Sequence, residues 1–199
     1  LKYLARFLLL FESVKAKGSF LDNKRVIVTA APHQSGKDEY LMILMILALD
    51  IEVCYLSAKW TMRRIPIPFI KPKDIDNQGI PWPLGWLQEI VFRKFGAIPV
   101  DRKGNSGQYD SVVQELLKRD NFLLIITPEG RFDATRFRSS FLYLAKELEA
   151  EVMPVQIDYE HDTLQFLNSL NLDGSEEEVI QRLRSCFDGV KGRKSRFKA

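Results

Sequence analysis

At 199 residues, 46% hydrophobic and 28% charged, the chain can bury one substantial core, and two full domains would be cramped. The same figures exclude disordered, collagen-like and low-complexity classes. The net charge of +3 belongs to the end of the chain: "GVKGRKSRFKA" holds five basic side chains and no acidic one, so the remainder sums to −2. Such a tail is attracted to anionic surfaces and is also how many soluble chains end.

The opening "LKYLARFLLLFESVKAK" sets Leu1, Leu4, Leu8 and Phe11 on one stripe, with Lys2, Arg6 and Glu12 off it. This spacing predicts an amphipathic helix within residues 1–24, docked on the core or lying on a membrane surface. "RVIVTAA" is a buried strand, and "DEYLMILMILALD" is too long for a strand and carries acids at its start, as a helix N-terminus prefers. The alternation continues with "IEVCYLSA" as strand, "GWLQEIVFRKF" as helix, "GAIPVDR" as a strand end and "GQYDSVVQELLKRD" as helix. "NFLLIIT" follows as strand, "RSSFLYLAKELEA" as helix and "EVMPVQIDY" as strand. Strands separated by helices of this length imply an α/β fold, a mainly parallel central sheet with helices on both faces.

Two segments break the rhythm. The stretch from Arg64 to Leu84 has five prolines, with Phe69, Trp82 and Trp86 in or beside it, and predicts an irregular excursion. Near the end, "SEEEVIQRLRSCF" predicts a helix capped by Ser175 with acids in its first turn. Cys54 and Cys186 have no second cysteine nearby, which points to reduced thiols in an intracellular setting. The longest apolar run, Leu41 to Leu49, is far short of the ~18 residues of a spanning helix, so no membrane crossing is expected. The chain begins at Leu1 rather than Met, which leaves room for a segment upstream.

"TAAPHQSGKDEY", between the first strand and its helix, admits two readings. A phosphate loop would put Ala31 at its first glycine and Asp38 at its hydroxyl, and Pro32 has no N–H to offer, so this reading is disfavoured. The second reading pairs His33 with Asp38 across a turn entering a helix: the carboxylate accepts from one imidazole nitrogen and leaves the other as a base near neutral pH. Other strand ends supply company, Asp101-Arg102 after "GAIPV" and Glu129-Gly130-Arg131 after "ITP". In a parallel sheet such ends share one rim, and a base beside two arginines suits an alcohol acceptor bearing an anionic group. His161, in the polar stretch "YEHDTLQ", reads as a surface residue, and no Cys/His spacing points to a metal.

Four blocks in order carry a resemblance. "PHQSGKD" matches H-x-x-x-x-D, "GAIPVDR" is similar to a glycine followed by apolar residues and Asp-Arg, "TPEGR" resembles Pro-Glu-Gly, and "VMPVQI" is an apolar strand with a central proline. Over roughly residues 25–159 the sequence resembles the glycerolipid acyltransferase family, whose best-known members are lysophosphatidic acid acyltransferases. The resemblance implies a glycerol-phosphate-acyltransferase-like fold and transfer of an acyl group from coenzyme A or acyl carrier protein to a hydroxyl. It implies that His33 takes the acceptor's proton, Asp38 orients His33, Arg102 holds an anionic group, and Glu129 and Gly130 shape that pocket with Arg131 as a second anion ligand. The chain departs from the usual Pro-Glu-Gly-Thr-Arg by having Arg131 and Phe132 in the last two places, so the arginine is shifted by one or Arg136 replaces it. Ser140 stands where many members have glycine, and Pro32 where asparagine is common.

The expectation is therefore one acyltransferase domain over 1–199: an N-terminal amphipathic helix within 1–24, a catalytic core at 25–159, and a C-terminal helix with basic tail at 160–199. No cofactor is expected beyond the acyl-CoA or acyl-ACP substrate, the acceptor is a lysolipid or glycerol-phosphate-type alcohol, and no nucleic-acid partner is expected. The first helix, the Pro/Trp excursion and the tail would rest on the cytoplasmic face of a membrane as a peripheral protein. The alternatives are a catalytically inactive lipid- or acyl-carrier-binding protein of the same fold, motivated by the altered third block, and a lipid esterase using the same residues with water as acceptor.

Overall fold

The computed structural model describes residues 2–12, 14–18, 25–34, 36–49, 53–65, 80–100, 107–129 and 136–193. The chain forms two compact units, Leu1–Val53 with Asp120–Ala199, and Cys54–Arg119. The first begins with α1 (Lys2–Leu9), β1 (Lys15–Lys17), β2 (Arg25–Ala31) and α2 (Gly36–Leu49). The second comprises β3 (Val53–Ala58), a 3-10 turn (Lys59–Met62), β4 (Arg64–Ile65), β5 (Ile80–Pro81), α3 (Gly85–Lys94), β6 (Ala97–Val100) and α4 (Gly107–Leu117). The chain then returns to the first with β7 (Phe122–Ile126), α5 (Ser140–Leu148), β8 (Glu151–Asp158), β9 (Thr163–Phe166) and α6 (Glu176–Ser185).

In the first unit the strands lie in the order β1-β9-β8-β2-β7. The central strand β2 runs parallel to both β7 and β8, with Thr29 opposite Ile126 on one side and Pro154 on the other. Val26 through Ala31 are buried without interruption, so both faces of β2 are covered, which is why its sequence reads as an unbroken apolar run. α5 packs on β2 and β8 through a buried face of Phe141, Leu142, Leu144, Ala145 and Leu148. Both units are mixed α/β; the first unit's strands are mainly parallel, with only β8 and β9 antiparallel among those described, as the strand–helix alternation implies.

The N-terminal helix is shorter than its sequence suggests and turned differently. α1 ends at Leu9, and Lys15–Lys17 form an edge strand parallel to β9, where the Lys15 N–H donates to the Asp162 carbonyl at 2.8 Å. Main-chain pairing decided by a distant segment overrides the local helical spacing. The face that docks on α2 is Ala5, with Leu8 and Leu9, against Leu44, Leu47 and Ala48. Arg6 lies beside this contact and donates from Nε to the Ala48 carbonyl at 3.1 Å. Leu4 and Phe11 of the expected stripe are instead exposed, together with Tyr3, Phe7 and Leu10.

α6 is closed at its start by a reciprocal cap. Ser175 Oγ accepts from the Glu178 N–H at 3.3 Å, and the Glu178 carboxylate accepts from the Ser175 N–H at 2.7 Å. In the second unit β3 and β6 pair in parallel, and β4 pairs antiparallel with β5, joining the two ends of the proline-rich excursion. Residues 66–79 of that excursion, Phe69 among them, lie outside the described residues. Trp82 donates from its indole nitrogen to Gln88 Oε1 at 2.8 Å, while Trp86, Leu87, Ile90 and Val91 of α3 face outward. No helix among the described residues is long and apolar enough to cross a membrane.

Candidate active site

Because β2, β7 and β8 are parallel neighbours, their C-terminal ends and the turns that follow lie along one edge of the first unit's sheet. His33 stands two residues past the end of β2, Glu129 three past the end of β7, and Tyr159 directly after β8. Asp38 sits in the first turn of α2, where the helix N-terminus favours a carboxylate. Three sequence-distant turns and one helix end are thus brought to a single place.

The buried polar side chains among the described residues are Thr29, His33, Asp38, Glu129 and Thr163, and three of these five are ionisable groups of this cluster. Burying such groups away from water is costly unless they are paired, so their concentration marks a site built for chemistry or tight positioning. Asp38 is 1% exposed. Its Oδ2 accepts from the Gln34 main-chain N–H at 2.7 Å and faces His33 Nδ1 at 3.5 Å. Its Oδ1 accepts from the Tyr159 hydroxyl at 2.6 Å. The two oxygens are thereby held in different directions, and the one nearer the imidazole is steadied by the main chain of the intervening turn.

Glu129 holds the histidine by its backbone. Both carboxylate oxygens lie within reach of the His33 N–H, at 3.2 and 3.3 Å, a shared bond that joins the turn after β7 to the turn after β2. Burial pushes the Glu129 carboxyl above its ordinary range, and the hydrogen bond from the His33 N–H opposes that shift without cancelling it. Lys37, which a phosphate loop would aim at its ligand, instead pairs with Glu12 at 2.7 Å.

Of the other residues singled out from the sequence, Arg102, Gly130 and Arg131 lie outside the described residues. Arg136 is exposed, two residues before Arg138, whose N–H donates to the Pro128 carbonyl at 2.8 Å and so brings together the two ends of the segment after β7. His161 is exposed in the turn between β8 and β9, where its Nδ1 lies 2.8 Å from Asp158 Oδ2, a contact that raises its pKa. Among the described residues no three His, Cys, Asp or Glu side chains cluster as metal ligands would.

Tyr159 was not among the residues the sequence suggested. It belongs to no motif, and the signal that could have found it is positional: it follows a strand parallel to β2 on the side away from β7, so its turn opens onto the same edge. Its main-chain N–H donates to the Lys191 carbonyl at 2.9 Å, which anchors it from the C-terminal segment.

Comparison with curated proteins finds no match to the chain. Residues 83–158 match the family model described as Acyltransferase. That stretch contains the segments "GAIPVDR", "TPEGR" and "VMPVQI" and ends before Tyr159; it does not extend to His33 and Asp38. Over residues 83–158 the chain is therefore similar to the acyltransferases, a likeness that supports acyl transfer as its class of activity.

Proposed function

We propose that this protein moves a fatty acyl group from a thioester donor, acyl-CoA or acyl-ACP, to a hydroxyl of a lysophospholipid or related lipid, with His33 as general base. The observation that carries the reading is the buried contact set of His33, Asp38 and Glu129, assembled from two separate segments in a chain that matches the acyltransferase model further along. Nδ1 of His33 faces Asp38, so Nε2 is the nitrogen that would take the proton.

The reaction balances as follows. The acceptor hydroxyl gives its proton to His33 Nε2 as its oxygen attacks the thioester carbonyl carbon. The tetrahedral intermediate collapses with cleavage of the C–S bond, and the leaving sulfur takes the proton back from the imidazolium. Asp38 stabilises the imidazolium in between, and its bond from the Gln34 N–H keeps it from turning away. Glu129 fixes the position of the His33 main chain. Arg102, Arg131 and Arg136 are the candidates to bind the anionic group of the acceptor, with Gly130 giving that pocket its shape.

The substrates are amphiphilic, and we place the protein at the cytoplasmic face of a membrane, held peripherally. The exposed Tyr3, Leu4, Phe7, Leu10 and Phe11 of α1 and its following turn, and the basic end of the chain, support an interfacial position.

The test is thiol release from acyl-CoA and from acyl-ACP, with and without a panel of lysolipids, in the native chain and in His33→Ala. Release that requires an acceptor and disappears in the variant is the expected result. Release without any acceptor would make the protein an esterase, and no release from either donor would make it a binding protein of the same fold.

A further inference from the structure

Resting on the reading of His33 as the base, we propose that Tyr159 is a positioning residue of the site, whose hydroxyl fixes the Asp38 carboxylate in the orientation that presents Oδ2 to the imidazole. The 2.6 Å bond from Tyr159 to Asp38 Oδ1 is buried, and Tyr159 itself is 5% exposed. A carboxylate rotates about its last side-chain bond in a broad, nearly two-fold well, so one anchored oxygen leaves it free to tilt. Two donors from different elements, the Gln34 N–H and the Tyr159 O–H, fix the plane of the group.

The tyrosine is itself tied down. Its N–H is bonded to the Lys191 carbonyl, and at the next residue, Gly192, an added Cβ would run into the Gln34 side chain, which belongs to the turn between His33 and Asp38. Residues 191 and 192 therefore touch both of the residues that donate to the carboxylate, at the Tyr159 main chain and the Gln34 side chain. This gives the end of the chain a part in the geometry of a site formed far from it in sequence.

The phenol also tempers the carboxylate. A donated proton draws negative charge toward Tyr159 and away from His33, which weakens the pull of Asp38 on the imidazolium. Among the described residues, Asp38 on α2 faces the His33 ring and Glu129 after β7 holds its main chain, with Tyr159 after β8 reaching the ring only through Asp38. Lys37 on α2 is engaged by Glu12. Removal of the Tyr159 hydroxyl therefore changes the coupling of Asp38 to His33 in two ways: it lets the carboxylate tilt, and it returns negative charge to Oδ2.

The experiment compares native protein, Tyr159→Phe and a protein carrying 3-fluorotyrosine at position 159, which keeps the ring and makes the hydroxyl a stronger donor. Two readouts are taken. The first is the NMR titration of the two histidine rings, with His161 assigned through His161→Gln. The second is the pH profile of acyl-CoA thiol release with lysolipid. Tyr159→Phe is expected to shift the His33 titration and the acid limb of the rate together and to lower kcat about tenfold or more, with KM little changed. Fluorotyrosine, which keeps the anchor and draws more charge from Asp38, is expected to move the titration to lower pH. An unchanged His33 titration in both substituted proteins overturns the proposal, as does a native kcat and pH profile in Tyr159→Phe. Should Tyr159→Phe fail to fold, the fluorotyrosine titration decides alone. If the titration shifts as expected while native protein releases no thiol from any donor, the acyltransfer reading has failed and the positioning role stands.

Discussion

Glu129 provides a perturbation whose sign and size follow from the structure. Its two oxygens share the His33 N–H at 3.2 and 3.3 Å inside a buried cluster. Glu129→Ala removes the buried carboxylate that accepts from that donor, a loss of about 1–3 kcal/mol of stability, and loosens the turn that carries the histidine. Glu129→Gln keeps a carbonyl acceptor and removes the charge. Because the folded-state pKa of Glu129 is raised, its contribution to stability is fully present below the ordinary carboxylate range and is lost as pH rises through the raised value. The native protein should therefore lose stability relative to Glu129→Gln as pH rises from the ordinary carboxylate range through the raised value, and the difference between the two isolates this one group. Urea denaturation of the three proteins across that range measures it. In the rate assay Glu129→Gln should retain most activity and Glu129→Ala should lose about tenfold or more, since displacing a catalytic group by a fraction of an ångström is costly. A native-minus-Gln difference that is flat or rises with pH refutes the burial argument. Full stability and activity in Glu129→Ala refute the anchoring role.

Three further outcomes are expected. Ser175→Ala removes one half of the reciprocal cap of α6 and should lower stability by about 1 kcal/mol in chemical denaturation, with acyl-transfer rate unchanged. Thr29 Oγ1 is buried without a hydrogen-bond partner among the described residues, so Thr29→Val, of nearly the same shape, should be neutral or stabilising by up to about 1 kcal/mol in the same assay. Liposomes containing anionic lipid should co-sediment the protein at low salt and less so at high salt, and replacing Phe7, Leu10 and Phe11 with serine should reduce binding at both. Sedimentation unaffected by these substitutions would remove α1 from the interfacial surface.

Much of the architecture was legible because it is local. The apolar runs of β2, β7 and β8 need cover on both faces, and the "SEEE" start of α6 carries its cap in four residues. The nearness of His33 to Asp38 was legible for the same reason, since a turn of four intervening residues into a helix leaves few ways for the two to sit apart. What could not be read depends on partners far along the chain. "VKAK" continues a helical spacing, and only pairing with β9 makes it a strand. "TLQF" sits in a polar stretch, and antiparallel pairing with β8 makes it β9. The docking face of α1 centres on Ala5, with Leu8 the one described member of the expected stripe that packs there, because close approach to α2 favours a small residue and leaves Leu4 and Phe11 outside. Tyr159 reaches Asp38 through the order of strands, which no spacing in the sequence encodes.

The central claim is most directly tested by mass measurement of the lipid product formed from an isotopically labelled acyl-CoA and a lysolipid acceptor, with native protein and with His33→Ala. Labelled acyl chain on the acceptor hydroxyl with native protein, and none above background with His33→Ala, is the predicted result. Equal labelled product from both proteins, or none from native protein with either thioester donor, would contradict the account.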